Sequence, residues 1–456
     1  MSTISAIATA LGNKGINIIR ISGDESLKIV KDIFSNYEKL KPNNIVYGNI
    51  IYHNNVIDNV LVSYFKAPYS FTGEDIIEIN CHGGTLITQK ILDIVLENGA
   101  ILATPGEFSK RAFLNGKMDL SEAESVINLI NAKTSIEAKI ATSNMTGDLF
   151  VKIKNLREKI IEMLAQIEVS VDYPEYDYEQ VQNEELDKLL KLEINEIDKL
   201  INSYDEGKYI KNGINVAILG KPNVGKSSLL NSLAGSERAI VTDIAGTTRD
   251  TIDETINIGD VILNITDTAG IRDTEDVIEK MGVERSLKKI EEVDLIIYIF
   301  NASEKITKED KNTISKIQNK GVKIIYVINK MDEVIKEDYD GIMEELKHND
   351  SKTIVNMSVK NNIGMGELKT TIKKLFFNDE IFSSNEIVIV NQRHKELLKK
   401  CNMLLNDVKE QLKKDIPIDI ISIKLKESAK NLGEIIGSDV NSDVINKIFE
   451  KFCLGK

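Results

Sequence analysis

The chain has 456 residues, of which 42% are hydrophobic and 28% are charged, and its formal net charge is -13 at pH 7. One hydrophobic core rarely serves a chain of this length, so about three domains are expected. The acidic balance argues against binding nucleic acid alone, because counterion release rewards lysine and arginine. A nucleic-acid role would need a local basic patch or a partner that supplies one.

Neither secretion nor a membrane anchor is predicted. The first residues lack the basic leader of a signal peptide, and no uninterrupted apolar run is long enough to span a bilayer. The cysteines, Cys81, Cys401 and Cys453, are odd in number and far apart, which is unlike a secreted disulfide framework. These features predict a cytoplasmic protein without membrane contact.

The spacing of apolar residues changes along the chain and divides it into segments. Residues 1–117 carry short β-rich runs and one helical stretch, TLITQKILDIVLENG, which predicts an α+β domain. In residues 118–212 apolar positions recur every three or four residues, which predicts amphipathic helices. Residues 213–377 alternate strands with helices and predict a parallel sheet. The helical pattern returns in residues 378–456, so a multidomain α/β fold is expected, with one all-α domain split by an inserted α/β domain.

A phosphate-binding loop is predicted at the start of the inserted domain. The segment NVAILGKPNVGKSSLLNSLAG is typical of a strand, a loop and a helix, and its core fits G-x-x-x-x-G-K-S. Gly220 and Gly225 allow the backbone to wrap phosphate oxygens, and the helix N-terminus supplies positive potential. Lys226 is expected to reach the β and γ phosphates, and the Ser227 hydroxyl is expected to bind Mg²⁺.

Two later motifs indicate GTP rather than ATP. Asp267 begins a D-x-x-G motif after a predicted strand, where it would hold Mg²⁺ through water. The motif Asn329–Asp332 follows another strand, and the Asp332 carboxylate can accept from the N1–H and amino groups of guanine, a donor pair that adenine lacks. Asn329 suits the other edge of guanine, and the Lys330 stem can pack over the base. These motifs predict a Ras-like P-loop GTPase domain.

Two positions depart from the pattern of such domains. Ser358-Val359-Lys360 is similar to the final base-contacting S-A-K motif, with valine in place of alanine. Ile271 stands directly after D-x-x-G, where a Ras-type enzyme has the glutamine that orients the attacking water. The domain is therefore either a slow switch or an enzyme in which another group orients the water. The segment that follows, IRDTEDVIEKMG, holds several carboxylates. Unless one of them orients the water, they are expected to be solvated residues of the second switch.

The motifs of the whole chain, taken together, are specific enough to indicate a protein family. The chain combines GKPNVGKSS, VTDIAGTTRD, DTAGIRD and NKMD with FTGEDIIEINCHGG, PGEFSKRAFLNGKMDLSEAE and a terminal Cys-Leu-Gly-Lys. Over essentially its full length it resembles the MnmE (TrmE) family of tRNA-modification GTPases. The resemblance implies a tetrahydrofolate-binding and dimerising domain (1–117), two parts of a helical domain (118–212 and 378–456) and a G domain (213–377).

The resemblance also implies roles for individual residues in the G domain. The G domains of two copies of the chain are expected to dimerise across GTP in a potassium-dependent way. A glutamate, Glu279, would orient water in place of the missing glutamine, with Lys226 and Thr248 as further catalytic residues. Mg²⁺ would be bound by Ser227 and Thr248, and K⁺ by Asn223, Thr242, Ile244 and Thr247. The implied GTP site comprises Asn223, Val224, Gly225, Lys226, Ser227, Ser228, Thr242, Asp243, Ile244, Ala245, Gly246, Thr247, Thr248, Asp267, Thr268, Ala269, Gly270, Asn329, Lys330, Met331, Asp332, Ser358, Val359 and Lys360.

The resemblance further implies a folate site that uses both ends of the chain. Contacts to 5-formyl- or 5,10-methylene-tetrahydrofolate would come from Arg20, Glu78, Lys117 and Lys456. A carboxylate can pair with pterin donors, and cations suit the glutamyl tail. Without the family pattern these would be ordinary surface or capping residues.

Cys453 has three interpretations. A cysteine fourth from the end suggests prenylation, for which Leu-Gly-Lys is a poor tail. It could also be a buried anchor between Phe449 and Phe452, or a thiol with a redox or chemical role beside the folate site. A reactive thiol needs a lowered pKa and access.

The implied activity is potassium-dependent GTP hydrolysis coupled to tRNA modification. A homodimer, joined by an FAD-dependent MnmG-type partner in a heterotetramer, would add an aminomethyl or carboxymethylaminomethyl group at C5 of the wobble uridine. Lys110, Arg111 and Lys117 offer local positive charge for tRNA, although a folate contact or a solvated face fits them equally. The alternatives are a regulatory switch of the ribosome-assembly type without folate chemistry, and a non-catalytic folate-binding scaffold.

Overall fold

A computed structural model describes residues 2–10, 12, 14–172, 179–236, 252–266, 293–347, 353–378, 386–414, 416 and 418–455. The residues form two compact units. The first unit contains Met1–Ile130, Thr142–Ile194 and Leu397–Lys456, and the second contains Asn131–Ala141 and Asn195–Glu396. No helix in these described ranges is long and apolar enough to cross a membrane.

Strands and helices alternate first, helices follow, a second region of strands and helices comes next, and the chain closes with helices, in the predicted order. The strands are β1 (Ile4–Ile7), β2 (Ile16–Ser22), β3 (Asn44–Tyr52), β4 (Asn55–Phe65), β5 (Ile76–His82), β6 (Ile101–Leu102), β7 (Ile214–Gly220), β8 (Ile252–Asn257), β9 (Ile262–Thr266), β10 (Leu295–Asn301), β11 (Lys323–Asn329) and β12 (Ile354–Asn356). The helices are α1 (Ser26–Ile33), α2 (Thr85–Glu97), α3 (Glu107–Leu114), α4 (Leu120–Asn131), α5 (Ser135–Met145), α6 (Asp148–Asp172), α7 (Glu179–Asn212), α8 (Lys226–Ser236), α9 (Lys308–Gln318), α10 (Lys336–Lys347), α11 (Met365–Phe376), α12 (Gln392–Leu412), α13 (Ile418–Ile436) and α14 (Ser442–Phe449).

The sheet of the first unit has the strand order β3-β4-β5-β2-β1-β6. Its neighbours are antiparallel except β1 and β6, which are parallel. Alternation along β2 buries Ile19 and Ile21 with residues of α1 and α2, while Arg20 lies on the opposite face. The predicted helical stretch is α2, and α1 and α3 are helices beyond it.

Helices complete the first unit and attach the end of the chain to its start. The α6 side chain of Lys159 pairs with Glu193 of α7 at 2.7 Å, and Arg157 of α6 donates to the Ala429 carbonyl of α13. Close approach joins α3 to α14: an added Cβ at Gly106 would lie 2.3 Å from the Phe449 carbonyl oxygen. Residues after α14 therefore return to the N-terminal sheet.

The sheet of the second unit has the order β12-β11-β10-β7-β9-β8. All neighbours are parallel except β8, which is antiparallel to β9 and departs from the parallel prediction. Every residue of β10 is buried, because helices cover both faces of a parallel sheet. The carboxyl ends of β7 and β11 lie at the same edge, and each leads directly into a predicted motif.

The segment that leads into this sheet, at the end of α7, lies beside the segment that follows α11. Near the end of α7, the Ser203 hydroxyl accepts from the Ile389 amide at 3.1 Å, and Glu206 accepts from the side chain of Asn378 at 2.7 Å. An added Cβ at Gly207 would lie 2.1 Å from the Ile389 carbonyl oxygen. The two connections are thus packed backbone to backbone.

Candidate functional site

The phosphate loop joins the end of β7 to the start of α8. At both of its glycines φ is positive, +147° at Gly220 and +104° at Gly225, and an added Cβ would meet neighbours. The Cβ at position 220 would lie 2.5 Å from the Ile299 carbonyl oxygen, and the Cβ at position 225 would lie 2.3 Å from the Asn329 amide nitrogen. Only glycine leaves this cradle open, which gives the loop the free backbone that the predicted phosphate contacts need.

The Lys226 ammonium lies over the loop. It donates to the carbonyl oxygens of Gly220 at 2.7 Å and Lys221 at 2.8 Å. Because α8 begins at Lys226, the N-terminus of the helix, with its N–H donors and positive dipole end, directly follows the loop. Asn223, between the glycines, has φ of 60°, a left-handed conformation that asparagine tolerates better than most residues. The site therefore concentrates positive potential and donors at one point.

Asn329 connects the guanine motif to two other segments. Its side chain is buried, and its Nδ2 donates to the Val224 carbonyl oxygen at 2.8 Å. Its Oδ1 accepts from the Val359 amide at 3.1 Å. An amide has two N–H donors and two acceptor pairs, so these bonds use half of its capacity. The expected contact with the guanine edge stays a prediction, and the bonds to Val224 and Val359 are a role that motif spacing did not reveal.

Asp332 is oriented by a neighbouring motif. The Ser358 hydroxyl donates to Asp332 Oδ1 at 2.5 Å, and this bond is the main reason that the pKa of the Asp332 carboxyl is lowered. Lys330 turns the chain with φ of 61°, and the Met331 amide donates to the Met357 carbonyl oxygen at 3.1 Å. Asp332 is exposed and held as an anion, the form that accepts from guanine. The hydroxyl of Ser358, rather than only the backbone of its motif, contributes to the site.

Several predicted residues lie outside the described part of the chain. They belong to the first switch, the D-x-x-G motif, the region of the expected glutamate and the C-terminus: Thr242, Asp243, Ile244, Ala245, Gly246, Thr247, Thr248, Asp267, Thr268, Ala269, Gly270, Ile271, Glu279 and Lys456. The described residues of the nucleotide site come from the phosphate loop, α8, the guanine motif and the segment after β12.

In the first unit the strand register brings Arg20 and Glu78 together. They are direct partners across β2 and β5, and the Arg20 guanidinium bonds to Glu78 Oε1 through Nε at 2.9 Å and Nη2 at 2.8 Å. Its Nη1 donates to the Gly455 carbonyl oxygen at 3.2 Å, and the rings of Phe71 and Phe108 lie 5.7 Å from the guanidinium carbon. A cation, a carboxylate and two aromatic rings thus meet near Gly455, and their contact with a folate stays a prediction.

The connection between β4 and β5 carries further contacts. Lys117 Nζ is exposed and donates to the Pro68 carbonyl oxygen at 3.0 Å. Arg111 is buried, and it donates to both carboxylate oxygens of Glu74 at 3.1–3.2 Å and to Glu107 at 2.9 Å. The interpretation of Arg111 as a tRNA contact is therefore wrong, because its charge is buried between two carboxylates. Glu74, which sequence reasoning missed, also accepts from Ser22 at 2.7 Å.

The C-terminal thiol is exposed, whereas its aromatic neighbours are buried. Phe449 and Phe452 pack with Leu120 in one core cluster, whereas Cys453 is exposed. The buried-anchor interpretation is therefore wrong for Cys453. Its backbone carbonyl accepts from the Gly106 amide at 3.3 Å, so the segment is fixed while the thiol stays accessible.

The fold and the geometry at the ends of β7 and β11 define a P-loop GTPase. Comparison with known proteins then identifies its family. Residues 3–117 match the family model of the GTP-binding protein TrmE N-terminus, and residues 120–453 match the MnmE helical domain. The chain belongs to the MnmE (TrmE) family of tRNA modification GTPases.

Full-length relatives carry the same description. The tRNA modification GTPase MnmE of Clostridioides difficile (strain 630) is 43% identical, and the alignment covers 100% of this chain and 99% of the relative. That of Acetivibrio thermocellus is 44% identical with the same coverage. Among solved structures, Era in complex with MgGDPNP and a 16S ribosomal RNA segment is 31% identical, covers 42% of this chain and 66% of its own, and has a TM-score of 0.29.

Proposed function

We propose that this chain is a potassium-dependent GTP hydrolase that modifies tRNA with an FAD-dependent MnmG-type partner. The product would be an aminomethyl or carboxymethylaminomethyl group at C5 of the wobble uridine of certain tRNAs. The observation that carries the GTP part is the side chain of Asn329, which bonds to the phosphate loop at Val224 and to the base-contacting segment at Val359. Phosphate and guanine recognition are thereby built into one connected site.

In the nucleotide site the residues divide into binding and catalytic groups. Lys226 would exchange its loop carbonyls for the β and γ phosphates, and Asp332 would accept from guanine. Ser227 and Thr248 suit Mg²⁺, since hydroxyl oxygens are hard ligands. Thr248 and Lys226 would act at the γ phosphate, and Glu279 would orient the attacking water because Ile271 cannot.

Potassium fits the loop conformation. Asn223 lies in the phosphate loop with a left-handed φ, and its side-chain amide oxygen is a hard ligand of the kind that binds such a cation. Thr242, Ile244 and Thr247 would add oxygens from the first switch. A cation held there supplies the positive charge that an arginine finger supplies in other GTPases.

The folate part rests on the Arg20–Glu78 pair. A carboxylate beside a guanidinium and two aromatic rings suits a flat pterin with adjacent N–H donors. Lys117 and Lys456 would neutralise the glutamyl tail of 5-formyl- or 5,10-methylene-tetrahydrofolate. Gly455 lies on the Arg20 guanidinium, which puts the preceding exposed thiol of Cys453 within the same segment.

The assembly would be a homodimer that joins the partner as a heterotetramer. The net charge of -13 favours this division of work, because the partner could supply much of the positive surface for tRNA. GTP hydrolysis would drive dissociation and rearrangement of the G domains rather than the carbon chemistry.

A reconstituted reaction tests the whole proposal. The purified chain, the FAD-dependent partner, tRNA, GTP, Mg²⁺, K⁺, glycine or ammonium as the nitrogen source, and tetrahydrofolate carrying a ¹³C one-carbon unit are combined, and the wobble nucleoside is analysed by mass spectrometry. We expect label in the new substituent on C5 with the wild type, none with Glu78→Gln despite normal GTP hydrolysis, and little with Lys226→Ala. Unlabelled tRNA with the wild type, together with normal hydrolysis, would instead support the regulatory switch.

A further inference from the structure

The second residue of the phosphate loop is fixed by an ion pair outside the known motifs. Lys221 Nζ lies 2.6 Å from Asp310 Oδ2, and the Asp310 side chain is only 3% exposed. The same ammonium donates to the Lys305 carbonyl oxygen at 3.2 Å. At its backbone, the Lys221 carbonyl oxygen accepts from Lys226 at 2.8 Å. Both the side chain and the main chain of Lys221 are therefore held.

Asp310 is itself a rigid anchor. It is the third residue of α9, where it forms a reciprocal capping box with Thr307, whose amide and hydroxyl each donate to Asp310 Oδ2 at 2.8 Å. The Tyr298 hydroxyl of β10 donates to its other oxygen at 2.9 Å. Burial alone would raise the pKa of this carboxyl, but the bonds from Lys221 and Thr307 lower it, so the side chain is an anion.

The segment that carries Asp310 also contacts the guanine motif. We call residues 302–310, which run from the end of β10 into the first turn of α9, the bracket. The Ala302 amide donates to the Asn329 carbonyl oxygen at 2.9 Å, and the Ala302 carbonyl oxygen accepts from Ile335, just beyond the guanine motif, at 3.3 Å. The bracket is therefore bonded at one end to the guanine-reading strand and at the other end to the phosphate loop.

Packing alone does not hold the loop against the bracket. A small pocket lies between them, lined by Lys221, Val224, Lys305, Ile306 and Asp310. Apolar contact is incomplete where such a gap exists, and the Lys221 ammonium spans it through its ion pair with Asp310 and its bond to the Lys305 carbonyl oxygen. Removing Lys221 would leave a buried carboxylate without its cation, and neutralising Asp310 would leave the ammonium without its anion. Either change is more disruptive than the loss of a surface pair.

We propose that Asp310 is a positioning residue for GTP, which holds the phosphate loop in its binding geometry through Lys221. Pro222 follows Lys221 directly and stiffens the chain toward Asn223, so a fixed Lys221 also fixes the direction of the loop. Without the Lys221–Asp310 pair, the phosphate loop would be ordered only when a nucleotide binds. The entropy lost in that ordering would weaken nucleotide binding. The proposal rests on the GTPase class of the chain and not on its potassium or folate chemistry.

The test uses Asp310→Asn and Lys221→Met in the full-length chain. Dissociation constants for fluorescent GDP and GTP analogues, kcat, KM and the thermal midpoint are measured. Each substitution should raise both dissociation constants and KM about tenfold. The double variant should be no worse than the worse single one, because both remove the same contact. Lys221→Arg should retain most of the affinity because it keeps the pair.

The matched control is Glu345→Gln. Glu345 pairs with Lys311, the residue after Asp310 on α9, and that pair lies at the surface. Its loss should leave nucleotide affinity unchanged within about twofold. The preference for GTP over ATP should persist in every variant, since Asp332 is untouched.

A purely structural pair would behave differently. It would lower the thermal midpoint and the active fraction, so that kcat falls while the dissociation constants and KM stay at wild-type values. That outcome overturns the proposal even if the protein is clearly destabilised. Additive effects of Lys221→Met and Asp310→Asn would overturn it too, because the two side chains would then act separately.

Discussion

The side-chain nitrogen of Asn329 donates to the carbonyl oxygen of Val224 at 2.8 Å. The two residues are far apart in sequence, and they meet because β7 and β11 end at the same edge of the parallel sheet on either side of β10. The bond makes the guanine motif a support of the phosphate loop. The part of the site that reads the base therefore also shapes the part that binds phosphate.

Asn329→Ala should consequently impair both stability and binding. The change removes two buried hydrogen bonds and leaves the Val224 carbonyl and the Val359 amide unpaired, which should cost about 2–3 kcal/mol of unfolding free energy. GDP affinity should fall by about tenfold or more. Calorimetric titration and thermal denaturation measure the two effects.

The control for this prediction is Asn356→Ala. The Asn356 side chain is exposed, and its bond to the Tyr339 hydroxyl spans 3.1 Å. Its loss should change GDP affinity by less than about twofold. Equal losses in the two variants would show that the buried bonds of Asn329 have no special role in nucleotide binding.

Asp332→Asn should change the base that is recognised. Xanthine carries an oxygen where guanine carries its 2-amino group, so an amide that donates suits xanthine and a carboxylate suits guanine. Ser358 can still donate to the amide oxygen, and the loop geometry should persist. Hydrolysis of GTP should fall and hydrolysis of XTP should rise, while the exposed control Asp340→Asn retains GTP preference. Loss of both activities would contradict the assigned contact.

Substitution of two glycines in the first unit distinguishes the cost of a steric clash from the cost of left-handed backbone strain. Gly106 and Gly116 have similar φ, 71° and 67°, but an added Cβ clashes with Phe449 only at Gly106 and meets nothing within 4 Å at Gly116. Gly116→Ala should cost about 1 kcal/mol, from left-handed strain alone. Gly106→Ala should cost about 2 kcal/mol more, because α14 must shift.

Denaturant unfolding of the full-length chain measures both substitutions. Limited proteolysis of residues after α14 should accelerate only in Gly106→Ala, since this glycine also donates its amide to the Cys453 carbonyl. Equal destabilisation by the two substitutions would mean that the close approach of α3 to α14 does not hold the C-terminal segment.

Glu137 should make stability depend on pH. Burial raises the pKa of its carboxyl, although the Lys133 amide donates to it at 2.8 Å and Lys133 and Lys211 oppose the rise. The folded state then binds this proton more tightly than the unfolded state. Its contribution is most favourable below the ordinary carboxyl pKa of about 4.3 and is lost as pH rises through the raised value.

Glu137→Gln should therefore gain stability relative to the wild type as pH rises from acid to neutral. Glutamine still completes the cap at the start of α5, so the helix is retained. The difference in thermal midpoint between variant and wild type, measured across that range, is the readout, with the exposed Glu344→Gln as control. A difference that does not vary with pH would contradict the prediction.

Much of the fold could be predicted from local pattern. The apolar runs that form most of β10 and β11 predict buried parallel strands, and the glycine-flanked loop after β7 predicts the phosphate site, because these signals lie within a few residues. The antiparallel β8 was missed because the parallel prediction assumed a helix between successive strands, whereas residues 258–261 join β8 to β9 directly, without a helix.

Contacts between distant residues were not predictable in the same way. Asp310 has the sequence appearance of a cap on an exposed helix, and only the fold brings Lys221 to it. Arg111 looks like a surface cation, yet Glu74 and Glu107 enclose it. Such pairs depend on which elements pack together. The local pattern of a single sequence does not show that packing.

The central claim is that a potassium-assisted G domain performs the hydrolysis, and one comparison tests it most directly. GTP hydrolysis is measured in KCl and in NaCl at equal ionic strength for the wild type, Asn223→Ala and Glu279→Ala. Potassium should accelerate the wild type by about tenfold or more and should leave both variants slow. A rate that ignores the cation and both substitutions would contradict the account and leave a slow regulatory switch as the better description.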